Sequence, residues 1–228
     1  RAPIDGVVPL SKSLDSVGPI ARTVDCCAIM DAVFADETPS PLPKVPLAGL
    51  RLLVPETVVL DNLDMHVAAA FDAALRRITD AGAIVTRAPL PVLKRIAEMT
   101  DKGGISGAES YAWHRELIAR RRAQYDPRVL TRIMRGAEQD AAFYIGLLER
   151  RASAIADYNA ATAGFDAVIM PTTAIIAPRI DEVAKDDDYT RINLLKKYDS
   201  LDQFLQTWQQ ADRKAALLAE LEAEGVLI

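Results

Sequence analysis

Two serines, a lysine and an aspartate stand close together near the start of the chain, as Ser11, Lys12, Ser13 and Asp15 in "GVVPLSKSLDSVGPIARTV" (residues 6–24). Serine with lysine is the pair a Ser-Lys hydrolase uses: a neutral amine takes the hydroxyl proton, and the oxygen attacks a carbonyl. That chemistry needs the lysine desolvated and within hydrogen-bond reach of the serine. The spacing argues against it. Neighbours on an extended segment point to opposite faces, so Ser11 and Ser13 share a face and Lys12 points away. The same residues suit a loop, with Ser13 and Asp15 bonding local backbone and Gly18–Pro19 turning the chain onward.

Other candidate chemistry is sparse. The two histidines, His66 and His114, lack the spacing and the Cys or Asp company of metal ligands, so no metal or other cofactor is expected. No phosphate-cradling glycine motif occurs, and "DKGGISG" (residues 101–107) is expected to be a flexible connection. "RELIARRRAQ" (residues 115–124) is expected to be a solvated basic face. Cys26 and Cys27 are adjacent, which suits buried core filling better than a disulfide and points to a reduced, cytoplasmic protein.

The elements that must carry these residues follow from periodicity. Thr23 caps a helix ending near Ala35, and the four prolines in residues 36–49 make a loop. "LRLLVP" is a buried strand. Asp64 caps a helix whose Val67, Phe71, Leu75 and Ile78 fall on one face, with Gly82 as its stop, and "AIVTRAPLP" is a second strand. Strand, helix and strand in about 40 residues favour an α/β sheet. Helices follow over residues 106–125, from Pro127, and up to about Gly164, and then a strand over Ala167–Met170 is stopped by Pro171. Half of the 228 residues are hydrophobic, enough for a sizeable core. The net charge of −5 argues against a dedicated nucleic-acid or anionic-membrane surface, and no apolar run is long enough to span a bilayer.

The opening stretch resembles the amidase signature family, in the segment that follows its serine-rich catalytic motif. The family pattern G-x-x-P-x-x-x-S-L-D-x-x-G-P-x-A-R-[ST]-V is met at eleven of nineteen positions, from Gly6, Pro9, Ser13, Leu14 and Asp15 through Gly18, Pro19 and Ala21 to Val24. "LAGLRLLVPE", the helix after it and "AGAIV" resemble the family's next strand–helix–strand passage. "FDAVIMPTTAIIAP" resembles its D-x-[IVL]-[IVL]-x-P-[TS]-x-P-x-x-A segment, with Ala174 where proline is usual. The resemblance implies an α/β fold, a partial amidase-type mixed sheet flanked by helices. It also implies hydrolysis of small carboxamides, or transfer of the released ammonia, by a Ser–cis-Ser–Lys triad with a backbone oxyanion hole. In the family those groups lie upstream of this pattern, and no Gly-Gly-Ser occurs here, so no catalytic residue is assigned and the chain is expected to be an inactive fragment. "TRIMRG" places Arg132 where amidotransferase members of the family hold a substrate carboxylate, and Thr172 and Thr173 follow a strand end where a pocket edge is expected.

The last residues diverge from that pattern. Ser200 and Gln203 form a capping box, and Leu201, Phe204, Leu205 and Trp208 follow at one-face spacing before a second helix stopped by Gly225. "SLDQFLQTW", "ADRK" and "GVL" resemble the C-terminal segment of type I restriction endonuclease R subunits. The expected organisation is a partial amidase domain over residues 1–195 and a helical hairpin tail over residues 196–228, which could meet a protein partner. The alternative reading is a non-catalytic interaction module.

Overall fold

The computed structural model describes residues 2–183. Six α-helices lie among them, α1 (Val24–Phe34), α2 (Met65–Asp80), α3 (Arg95–Glu98), α4 (Gly104–Arg121), α5 (Pro127–Met134) and α6 (Ala141–Thr162), with three strands, β1 (Arg51–Pro55), β2 (Ile84–Ala88) and β3 (Ala167–Val168). They fall into two compact units. A helical unit holds residues 2–18 and 94–157, and a sheet unit holds residues 19–93 and 158–183.

In the sheet unit β1 is central, and both neighbours run parallel to it in the order β2-β1-β3. Arg51 faces Ile84 and Pro55 faces Ala88 on one side, and Leu52 faces Ala167 on the other. A strand covered on both faces must be apolar throughout, and Leu52, Leu53, Val54 and Pro55 are all buried. The expected strand–helix–strand unit is present. Asp64 accepts a 2.7 Å bond from the His66 amide to cap α2, which buries Leu75 and Ile78 and lays Ile78 on the core of Leu47, Leu50, Leu52, Ala83 and Ala167. The proline-rich residues 36–49 form no helix or strand, yet their end supplies buried Leu47. At the start of β1, Asp166 accepts the Arg51 amide at 2.9 Å and ties β3 to the centre. β3 is shorter than the expected Ala167–Met170, although the Ile169 amide still reaches the Leu53 carbonyl at 2.9 Å.

Thr23 caps α1 through a 3.2 Å bond from the Cys26 amide. The cysteines depart from expectation. Cys26 is exposed and Cys27 half-buried, because α1 is apolar around most of its circumference and buries only Ala32 fully among its residues. The structure also corrects the reading of "DKGGISG" as a flexible connection. Asp101–Gly103 forms a 3₁₀ turn and Gly104 opens α4. Gly104 takes φ +59° with its Cβ position 2.6 Å from the Met99 carbonyl oxygen, so a side chain there is strained on both counts. Gln139 Nε2 pins the turn by donating to the carbonyls of Lys102 at 2.7 Å and Gly104 at 2.9 Å.

Small residues also bring α4 against the segment after α5. A Cβ on Gly136 would stand 1.9 Å from the Gly107 carbonyl oxygen, so the two backbones touch directly. Asp126 caps α5 by accepting from the amides of Arg128 at 2.8 Å and Val129 at 3.3 Å, with Pro127 at the first helical position. The tail from residue 196, with its expected hairpin, lies outside the described residues, as does the expected junction after residue 195.

Candidate functional site

The Ser11–Asp15 loop is organised by two carboxylates. Asp15 accepts from the amides of Leu10 and Ser11, each at 2.9 Å, and its own amide and that of Leu14 return to the Ser11 carbonyl at 2.7 and 2.9 Å. This is the local turn that an aspartate favours. Ser13 behaves differently from expectation. Instead of bonding its neighbours, it reaches Glu109 on α4, 96 residues away. Glu109 Oε2 accepts the Ser11 hydroxyl at 2.7 Å and the Ser13 amide at 2.9 Å. Its Oε1 accepts the Ser13 hydroxyl and, at 2.5 Å, the phenol of Tyr144 from the first turn of α6. Both serines therefore bond one carboxylate while Lys12 is exposed, and they do so from a turn over residues 12–14 instead of the expected extended segment.

The electrostatics favour a clamp over a catalytic dyad. Burial pushes the Glu109 carboxyl upward, but hydrogen bonds from Ser11, Ser13 and Tyr144 outweigh it and hold the group below the ordinary glutamate range. A carboxylate so stabilised is a poor proton acceptor, and its lone pairs are already occupied. Tyr144 moves the opposite way, pushed up by burial and by bonding to the charged Glu109. Ser11 is buried, 2% exposed, which removes it from any incoming substrate. Gly18 and Pro19 lie at the boundary between the two units, and neither has positive φ.

The remaining site residues sit apart in the architecture. Arg132 is exposed near the end of α5 in the helical unit. Thr172 and Thr173 are exposed in the sheet unit, just beyond β3 and buried Pro171, and the Thr173 hydroxyl donates to the Ile175 carbonyl at 2.9 Å. They mark the C-terminal edge of the sheet, where sites in parallel α/β folds form. Three strand-end segments are tied together there. Thr57 after β1 accepts the Leu90 amide beyond β2 at 3.0 Å, and the Asp64 amide donates to the Ala174 carbonyl beyond β3 at 2.8 Å. Between them Val58 takes φ +69° under a 2.8 Å bond from the Val59 amide to the Thr57 carbonyl, a strained γ-turn for a β-branched residue. His66 is exposed on α2, and His114 Nδ1 lies 2.7 Å from the Tyr125 hydroxyl, with burial pulling the imidazole below its ordinary value. No group of metal-ligating side chains gathers among the described residues.

Glu109 and Tyr144 escape sequence reasoning because their partners are so far away in the chain. One signal does exist. Glu109 stands in "GISGAES", whose Gly104, Ile105, Gly107 and Ser110 are buried, and a carboxylate beside such a face needs donors.

Known proteins share this fold. A solved amidase structure superposes with a TM-score of 0.82 at 21% identity, covering 98% of this chain and 56% of that one. A glutamyl-tRNA(Gln) amidotransferase component from Thermotoga maritima superposes at 0.65 and 22% identity, over 89% of this chain and 47% of that one. In sequence, 2-amino-5-chloromuconic acid deaminase of Comamonas testosteroni is 31% identical over 201 residues, 85% of this chain and 42% of the relative. Indoleacetamide hydrolase of Allorhizobium ampelinum is 36% identical over 117 residues, 51% of this chain and 24% of the relative. The chain thus spans less than half the length of these curated relatives. The amidase family model matches residues 1–225, so it runs through the segment whose restriction-subunit likeness lies outside the described residues. With that match over nearly its whole length, the chain belongs to the amidase signature family.

Proposed function

We propose that this chain forms part of an enzyme that hydrolyses the carbon–nitrogen bond of a small carboxamide, and that the chain alone does not perform the reaction. The amidase match over residues 1–225 carries the proposal. The names of two relatives, an indoleacetamide hydrolase and a deaminase of an amino-muconic acid, support release of nitrogen from a small substrate. Similarity to a glutamyl-tRNA(Gln) amidotransferase component of Pelobacter propionicus, 28% identical over 216 residues, supports transfer of the released ammonia as the other fate. The serine nucleophile, its relay serine and the lysine base are assigned to family segments upstream of the Gly6 pattern, the lysine well before the Gly-Gly-Ser motif, and no Gly-Gly-Ser occurs in this sequence. In this reading Arg132 pairs with a substrate carboxylate through its planar guanidinium, and Thr172 and Thr173 edge the pocket. Ser13, Asp15, Gly18 and Pro19 shape the chain behind the catalytic segment and take no part in proton transfer.

Ammonia release from indoleacetamide and related carboxamides tests the reading. The purified chain is expected to release none above buffer. A version extended upstream through a Gly-Gly-Ser motif and the lysine-bearing segment before it is expected to be active, with Arg132→Gln raising KM for carboxylate-bearing amides. Hydrolysis by the unextended chain that disappears in Ser13→Ala would overturn the assignment.

A further inference from the structure

The bonds on Glu109 have an unusual composition. Four donors converge on one side chain, the hydroxyls of Ser11, Ser13 and Tyr144 and the amide of Ser13, and both carboxylate oxygens are used twice. Hydroxyls can turn to accept, but the Ser13 N–H cannot. An amide at position 109 would keep one oxygen for Ser11 and the Ser13 amide, and would require the Ser13 and Tyr144 hydroxyls to turn round and accept. Only an ionised carboxylate accepts all four donors as they stand, with charge-assisted bonds about twice as strong as neutral ones. The other ionisable groups about the node are few. Asp15 is committed to the Leu10 and Ser11 amides, Lys12 is exposed, and Tyr144 is itself a donor.

We propose that Glu109 is the positioning residue of the Ser11–Asp15 loop: its ionised carboxylate fixes where Ser11 and Ser13 stand against α4 and α6, and its protonation releases them. The amidase reading gives this loop its role, as the segment next to the catalytic motif, but the device stands on the hydrogen bonds alone. The direction of titration agrees. Burial acts upward on Glu109, and the bonds from the two serines and Tyr144 together hold it down. A lowered carboxyl contributes order that is present above its unfolded value and is lost as pH falls through the folded one. The loop is therefore held at neutral pH and let go only on the acid side.

Amide hydrogen exchange across the acid range, corrected for intrinsic rates, tests this on the full chain without measuring amidase activity. In the wild type the Ser13 amide is expected to be protected at neutral pH and to lose protection on acidification, while strand β1 in the sheet unit keeps its own. Glu109→Gln is expected to speed Ser13 exchange by about tenfold to hundredfold at neutral pH and to flatten its pH dependence. Wild-type protection retained in Glu109→Gln, or a wild-type profile indifferent to pH, would overturn the proposal. Should Glu109→Gln also deprotect β1, Tyr144→Phe decides the matter. Loss of one donor is expected to move the acid midpoint upward, and an unmoved midpoint refutes the device. If the extended protein proves to have no amidase activity, the exchange result still stands or falls by itself.

Discussion

Gly136→Ala is expected to be among the most damaging single-methyl insertions in the helical unit. The new Cβ would stand 1.9 Å from the Gly107 carbonyl oxygen, 2.4 Å from its carbon and 2.9 Å from the Ala108 nitrogen. The first of these falls about 1.5 Å short of the 3.4 Å at which ordinary contact begins, and the obstacle is helical backbone, which cannot rotate aside as a side chain can. Relief requires α4 and the segment after α5 to separate, which would also pull Gln139 from the carbonyls of Lys102 and Gly104. The loss is expected to be about 3 kcal/mol, the upper part of the overpacking range. For a chain of this size that lowers the melting temperature by roughly 6–12 °C. Gly18→Ala is the matched control, since its Cβ position has nothing within 4 Å and its φ is not positive. It is expected to stay within about 0.5 kcal/mol of wild type. Thermal melts followed by the fluorescence of Trp113 on α4, with Trp208 replaced by phenylalanine, read the helical unit directly. A Gly136→Ala melt that coincides with the Gly18→Ala melt would refute the close crossing.

Two further predictions concern the sheet unit. Val58→Gly removes a β-branched side chain from positive φ, so it is expected to leave stability unchanged or raise it by about 1 kcal/mol, although glycine usually weakens a chain. Denaturant midpoints check this, and a loss above about 1 kcal/mol would count against the strained turn. Burial pushes the Tyr158 phenol up to about 12. Because the folded value lies above the unfolded one, the associated stability is intact below pH ~10 and is lost as pH rises toward the folded value. Phenolate absorbance is expected to show a late step that Tyr158→Phe deletes, and a single step common to all tyrosines would contradict the burial.

Local chemistry made much of the architecture readable. Thr23 and Asp64 each precede a helix by one residue and cap it as their types demand, and Pro127 opens α5 where proline is tolerated. The apolar spacing from Val67 to Ile78 faces the sheet, and the unbroken apolar run of β1 marks a strand covered on both sides. What escaped reading depends on partners distant in sequence. Glycines at 104, 107 and 136 look like breakers in a one-dimensional pattern, yet their role is to let backbones approach. Composition placed Cys26 in a core, but position on the helix decides exposure, and Cys26 falls outside. Ser13 looked like a local turn-former because no neighbour reveals that Glu109 will arrive 96 residues later.

That separation has a consequence for how the chain is made. The Ser11–Asp15 segment cannot dock until α4 has been synthesised, about 100 residues later, which at ribosomal rates is roughly 5–20 s. During that interval β1, α2 and β2 all emerge and can pair, while the early segment waits with Val7, Val8 and Leu10 unsheltered. These three are still at least half accessible after folding is complete, at 50%, 69% and 55%. The Ser11–Asp15 segment therefore stays without its carboxylate anchor for longer in synthesis than β1 waits for its neighbour β2.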